Sequence, residues 1–215
     1  MARQNGKHCW VSPKCGISSS GENFKYVDVD IDYKFIITRN PYTRIVSFYN
    51  NKIVYQDNHP HHFKNEWIPT GISLEKYGLK NTDISFQEFI YWLETQNLDR
   101  YETEAHLRPQ YIGVEDIWFD KIVRLDNFNE DIKEVCEKLN VDYDKVIKTT
   151  KNFFPKNKDI NDYVWDKKPT WFMEHGFPSN YDLYYTDELK NIVYNLYKKD
   201  FKRFGYKNTR SGAVR

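Results

Sequence analysis

"FIITRNPYTRIVSFYN", residues Phe35 to Asn50, decides how this chain is read. Phe35, Ile36, Ile37 and Thr38 form a short apolar and β-branched run suited to a buried strand. Arg39 follows at once, then Asn40 and Pro41, and the periodicity changes. Pro41 suits the first turn of a helix, and Ile45, Phe48, Tyr49 and Lys52 recur at helical spacing. A buried strand that feeds a basic turn and a helix start is suited to holding an anion. Between Arg39 and Lys52 there are three basic residues and no acid. Arg39, confined between strand and proline, can clamp a phosphate with both prongs of its guanidinium. Ser47, on the helix, can reach the same anion, whereas Arg44 reads as a solvated helix residue.

A second loop upstream has similar chemistry. "HCWV", His8 to Val11, is short enough for a buried strand and stops at Ser12 and Pro13. "SPKCGISSS" follows, with Lys14 and Gly16 just after the strand and Ser18, Ser19 and Ser20 opening the next helix. Gly16 lets the backbone approach a ligand, the surrounding amides can converge on one anion, and a helix start adds positive potential. No G-x-x-x-x-G-K-[ST] occurs, so this is not a Walker A loop. Taken alone it is compatible with an ordinary Gly/Ser turn or with a phosphate cradle.

Outward from these loops, Ser85 and Glu88 form a capping box ahead of a helix over about residues 85–96. "DKIVRL", Asp120 to Leu125, is a strand candidate. Asn127 with Glu130 caps a helix through Leu139 whose Ile132, Val135, Cys136 and Leu139 share a face. Thr186 caps a final helix with Asp187 and Glu188 at its start and a Leu189, Ile192, Val193, Leu196, Tyr197, Phe201 stripe; Gly205 stops it. Residues 150–182 are Pro- and aromatic-rich without a period and read as a surface excursion. Residues 56–82 are irregular and carry His59, His61 and His62, which lack a fourth ligand at a zinc spacing. No metal is expected there; the segment reads as a loop over an acceptor site. Strand–loop–helix units of this kind predict an α/β fold with a central, mostly parallel sheet flanked by helices, with ligands at the carboxyl ends of its strands.

Composition sets outer bounds. The chain has 215 residues, 40% of them apolar and 17% aromatic, which predicts a globular single domain over residues 1–206 with a basic tail at 207–215. Lys plus Arg number 32 against 31 Asp plus Glu, so the net charge is +1 and no global field draws in nucleic acid or an anionic membrane. The three cysteines include no Cys-x-x-Cys pair and support neither a zinc ribbon nor a disulfide framework. No signal peptide and no membrane-length apolar run is seen, so a soluble, cytoplasmic protein is expected. Oligomeric state is not legible.

Two anion loops on neighbouring strands suggest one ligand with two separated phosphate-like groups. "PKCGISSS" followed by "RNPYTRIVSFY" resembles the 5′-phosphosulfate loop and the 3′-phosphate motif of sulfotransferases that use 3′-phosphoadenosine 5′-phosphosulfate. "AHLRPQYIGVEDIWFDKIVRLDNFNEDIKEVCEKL" and "YNLYKKDFKRFGY" are similar to later segments of the membrane-type carbohydrate group, sulfotransferase family 2. The matches run from residue 9 to residue 206 in the family's order. The resemblance implies the P-loop α/β sulfotransferase fold. It also implies that Lys14 and the loop Cys15, Gly16, Ile17, Ser18, Ser19 and Ser20 hold the 5′-phosphosulfate, and that Arg39 and Ser47 hold the 3′-phosphate. Lys14 would steady the charge building on the bridging oxygen, the acceptor would be a hydroxyl of a saccharide, and the product would be adenosine 3′,5′-bisphosphate, with no metal.

The general base is open at this level. The interval between the two loops is several tens of residues shorter than in related enzymes and contains no His. Glu22, just past the first loop, and His106, in "HLRPQ", are both candidates; histidine titrates near neutrality, which suits the role. Two other classes stay in view: a small P-loop nucleotide kinase, disfavoured by the missing Walker A motif, and a non-catalytic nucleotide binder.

Overall fold

The computed structural model describes residues 2–4, 7–9, 33–56, 78–100, 104, 106–147 and 156–208. By backbone contacts the chain divides into two compact units, residues 1–40 with 113–153, and residues 41–112 with 154–215.

In the first unit, β1 (Ala2–Gln4) pairs antiparallel with β2 (Lys7–Cys9), which begins one residue before the expected "HCWV" strand; residues 10 and 11 lie outside the described residues. β3 (Phe35–Thr38) is buried along its whole length, as a run apolar on both faces requires. It pairs in parallel with β4 (Lys121–Arg124), Phe35 opposite Lys121 and Thr38 opposite Arg124. A parallel partner cannot be reached by a tight turn, and here it comes from 86 residues along the chain, where the Lys34 amide donates to Asp120 Oδ2 at 2.8 Å. α3 (Phe128–Leu139; α1 and α2 belong to the second unit) packs Ile132, Val135, Cys136 and Leu139 against Phe35, Ile37 and Val123, the stripe the sequence indicated. α4 (Tyr143–Ile147) adds Val146. Asn127 stands at the start of α3 but makes no side-chain cap; instead Asp131 in the first turn accepts from the Arg124 amide at 2.8 Å. Asp131 also pairs with Lys121 at 3.1 Å, and Lys121 meets Glu134 as well. Burial pushes the Cys136 thiol up to about 11, aided by Asp142 and Glu137, so it is a packing residue and not a nucleophile.

In the second unit, α1 (Pro41–Phe48) begins at its proline as expected and continues as a π-helical stretch over Tyr49–Gln56. α2 (Phe86–Glu94) carries the complete capping box: Ser85 Oγ accepts from the Glu88 amide, and Glu88 accepts from the Ser85 amide at 2.7 Å. Its Phe86 and Phe89 join Tyr49, Phe172 and Tyr184 in an aromatic core with centroids mostly 5.4–5.8 Å apart. Residues 150–182 depart from the expectation of a surface excursion. From residue 156 on they hold β5 (Lys156–Asn157), α5 (Pro169–His175) and β6 (Phe177–Pro178), and bury Val164, Phe172 and Phe177. Single large aromatics spaced irregularly fill the core there without a readable period. α6 (Asp187–Leu196) is capped by Thr186 as predicted, but the final helix is broken at Tyr197 before α7 (Lys198–Phe204). Gly205 ends it at φ 69°, where a Cβ would be strained.

Among the described residues the strands form three two-stranded pairs, two parallel and one antiparallel. This is a mixed helix-and-strand architecture compatible with the α/β expectation.

Candidate functional site

The segment His106 to Tyr111, "HLRPQY", has almost no regular structure of its own, yet it is held from several sides within the second unit. Tyr197, buried at the break between α6 and α7, donates its hydroxyl to the Leu107 carbonyl at 2.6 Å. Arg44 on α1 donates Nη2 to the Arg108 carbonyl at 2.8 Å. Asp200 on α7 accepts the amides of Gln110 and Tyr111, at 2.8 and 2.9 Å. A loop whose amides and carbonyls are satisfied by buried side chains has little freedom, which is the condition for a precisely placed chemical group.

Arg44 therefore departs from the solvated role its sequence position suggested: it is 7% exposed. Its charge is matched by Asp200, which has no exposed surface. Burial pushes the Asp200 carboxyl above its ordinary value; the Arg44 charge and the Gln110 and Tyr111 amides work in the opposite direction. Tyr197 is also raised by burial, against the pull of Arg44.

His106 opens this segment. Its Nδ1 lies 2.7 Å from Glu104 Oε1, and its ring centroid is 6.4 Å from that of Phe48 at the end of α1. Glu104 Oε2 accepts the amides of His106 at 2.6 Å and Leu107 at 3.2 Å. Burial alone would raise the Glu104 carboxyl; the hydrogen bond and charge of His106 and the two amides outweigh it, and the group sits below its ordinary value. The arrangement is a carboxylate–imidazole pair with the imidazole partly open, its side chain 31% exposed. Such a pair can accept a proton from a hydroxyl. Glu104 was not singled out in the sequence; Glu-x-His is too short a pattern to stand out.

Ser47 lies on the half-exposed side of α1 with Thr43, four residues away, while the helix's other side chains are buried. Arg39 follows β3 in the first unit and is half-buried. Desolvation pushes the Asp126 carboxyl above its ordinary value, against the opposing pull of the Arg39 and Arg124 charges. An acid thus stands near Arg39 in space, 87 residues beyond it, where the local sequence showed none. Lys14, Cys15, Gly16, Ile17, Ser18, Ser19, Ser20 and Glu22 lie outside the described residues, as do His59, His61 and His62 and the tail from residue 209.

The sequence model of the sulfotransferase family matches residues 20–207, which include Arg39, Ser47, the "HLRPQY" segment and the closing helix; Lys14 to Ser19 precede the match. The chain belongs to the sulfotransferase family. The match is to family 2, the group that its motifs resemble. No curated protein and no solved structure gives a significant match. Membership makes this sulfotransferase-family chain a transferase. The α1 segment, the "HLRPQY" loop and the closing helix touch one another within the second unit. No helix among its described residues is long and apolar enough to cross a membrane.

Proposed function

We propose that this sulfotransferase moves the sulfuryl group of 3′-phosphoadenosine 5′-phosphosulfate to a hydroxyl of a carbohydrate acceptor and releases adenosine 3′,5′-bisphosphate. The acceptor oxygen bonds to sulfur as its proton passes to a base, and the bond from sulfur to the bridging oxygen breaks toward the phosphate. By analogy with phosphoryl transfer the moving group passes through a loose in-line state, so the protein's work is positioning and charge stabilisation. Lys14 and the loop from Cys15 to Ser20 are assigned to the 5′-phosphosulfate, and Arg39 and Ser47 to the 3′-phosphate, on the strength of their motifs. The P-loop sulfotransferase fold belongs to the same proposal. The observation that carries the reading is the Glu104–His106 pair, set on a loop anchored to α1 and α7, two of the family's motif segments.

The donor class is tested by thermal shift. Adenosine 3′,5′-bisphosphate is expected to raise the melting temperature far more than AMP, ADP or ATP, by about 2.7 kcal/mol of linkage at a hundredfold excess over its dissociation constant. Equal shifts from all four would remove the donor assignment, and magnesium-dependent ATP turnover would replace it with a kinase.

For the base, the carboxylate partner Glu104 supports His106; Glu22 lies outside the described residues. At saturating donor, His106→Ala is expected to lower turnover about 10²–10⁴-fold, the usual range for losing a general base. Glu22→Gln is expected to leave turnover within a few-fold. The reverse ranking would transfer the role to Glu22.

A further inference from the structure

We infer that Glu104 is the positioning residue of this active site: its carboxylate fixes the tautomer and plane of the His106 imidazole, leaving Nε2 to take the acceptor's proton. The inference rests on the reading of His106 as base.

The geometry carries it. Glu104 is tied at both oxygens, Oε1 to His106 Nδ1 at 2.7 Å and Oε2 to the His106 and Leu107 amides at 2.6 and 3.2 Å. A carboxylate held at three points cannot rotate to engage a substrate, and with only 19% of its side chain exposed Glu104 is poorly placed to be the base itself. An ionised carboxylate only accepts hydrogen bonds, so the contact at Oε1 requires the proton on Nδ1. The neutral imidazole then has its lone pair on Nε2, the nitrogen farther from Glu104. Glu104 sits below its ordinary value although burial opposes this, which keeps the negative charge in place at neutral pH. When Nε2 accepts the hydroxyl proton, the imidazolium that forms is already paired with that charge. The O–H electron pair meanwhile becomes the new bond from oxygen to sulfur.

A merely structural Glu104 would stabilise the loop without setting the tautomer, and nitrogen chemical shifts separate the two. In the ¹⁵N-histidine-labelled full chain, the His106 resonances are identified by their loss in His106→Ala. With the imidazole neutral, Nδ1 is expected to show the protonated shift and Nε2 the unprotonated one. Glu104→Gln is expected to move the proton toward Nε2 and to lower turnover about 10²-fold at saturating donor. The thermal shift given by adenosine 3′,5′-bisphosphate should be unchanged in that variant. If Nε2 stays unprotonated in Glu104→Gln while His106→Ala is inactive, the positioning role is overturned and the base reading survives. If His106→Ala retains turnover, the base reading falls and takes this inference with it. Should Glu104→Gln fail to fold, Glu104→Asp, which keeps the charge, is expected to retain the Nδ1–H tautomer; an Nε2–H tautomer there would equally overturn the role.

Discussion

Replacing Lys14 with Ala is expected to abolish sulfuryl transfer, with turnover falling at least about 10²–10³-fold, the loss seen when one preorganised donor to a developing oxyanion is removed. The reason lies in where charge grows. In the proposed reaction negative charge would collect, as the sulfuryl group leaves, on the oxygen bridging it to the 5′-phosphate. In "SPKCGISSS" Lys14 is the only side chain with a full positive charge. On the proposed assignment the neighbouring amides and hydroxyls would bind the ground state and the transition state more evenly, so their loss would show mainly in donor affinity. Lys14→Arg is expected to recover little, because a planar fork does not present the point charge of an ammonium. The measurement is release of adenosine 3′,5′-bisphosphate from the donor in the presence of an acceptor panel. Full activity of Lys14→Ala would refute the placement of Lys14 in the site.

Replacing Asp200 with Ala is expected to be the most destabilising single change in the second unit, costing about 3–5 kcal/mol, the range for stripping one member from a buried charged cluster. Asp200 has no exposed surface, and its loss would leave the Gln110 and Tyr111 amides without their acceptor and the buried Arg44 without its counter-charge. Denaturant melts give the cost directly. Asp200→Asn should cost less, since one acceptor oxygen remains. The difference between wild type and Asp200→Asn carries a pH signature with a definite sign. Asp200's folded value lies above its ordinary value of 3.8, so its contribution is complete below 3.8 and is lost as pH rises through the folded value. The advantage of wild type over Asp200→Asn should accordingly shrink as pH is raised from just below 4. A gap that widened instead would mean that Asp200 is held ionised by a stronger partner than Arg44.

Several elements were legible because their determinants are local. The Phe35–Thr38 strand, the Pro41 helix start, the Ser85–Glu88 capping box, the buried stripe of α3 and the Thr186 cap each depend on residues within about one or two helical turns. The π-helical stretch after Phe48 and the break at Tyr197 were not, because each follows from contacts with distant segments. Asn50, in the π stretch, receives the Tyr184 hydroxyl from 134 residues away at 3.0 Å, and Tyr197 reaches Leu107 across 90 residues. Residues 156–182 hid their core role for the same reason. Phe172 lies flat against Tyr184, with 3° between the rings, and no periodicity along the chain announces that pairing.

By itself the sequence determined the family and the residue types along the chain: a lysine beside a Gly/Ser stretch, an arginine leaving an apolar run, a serine eight residues on, a histidine before Pro-Gln. Those are properties of residue type and short spacing, which the linear chain records. Tertiary structure alone decided that Arg44 is buried, that Asp200 closes over the Gln110 and Tyr111 amides, and that Glu104 grips His106 through both carboxylate oxygens. Burial and hydrogen-bond partnership belong to neighbours in space. A charge that looks solvated along the chain becomes an anchor once folding removes its water and supplies a counter-charge.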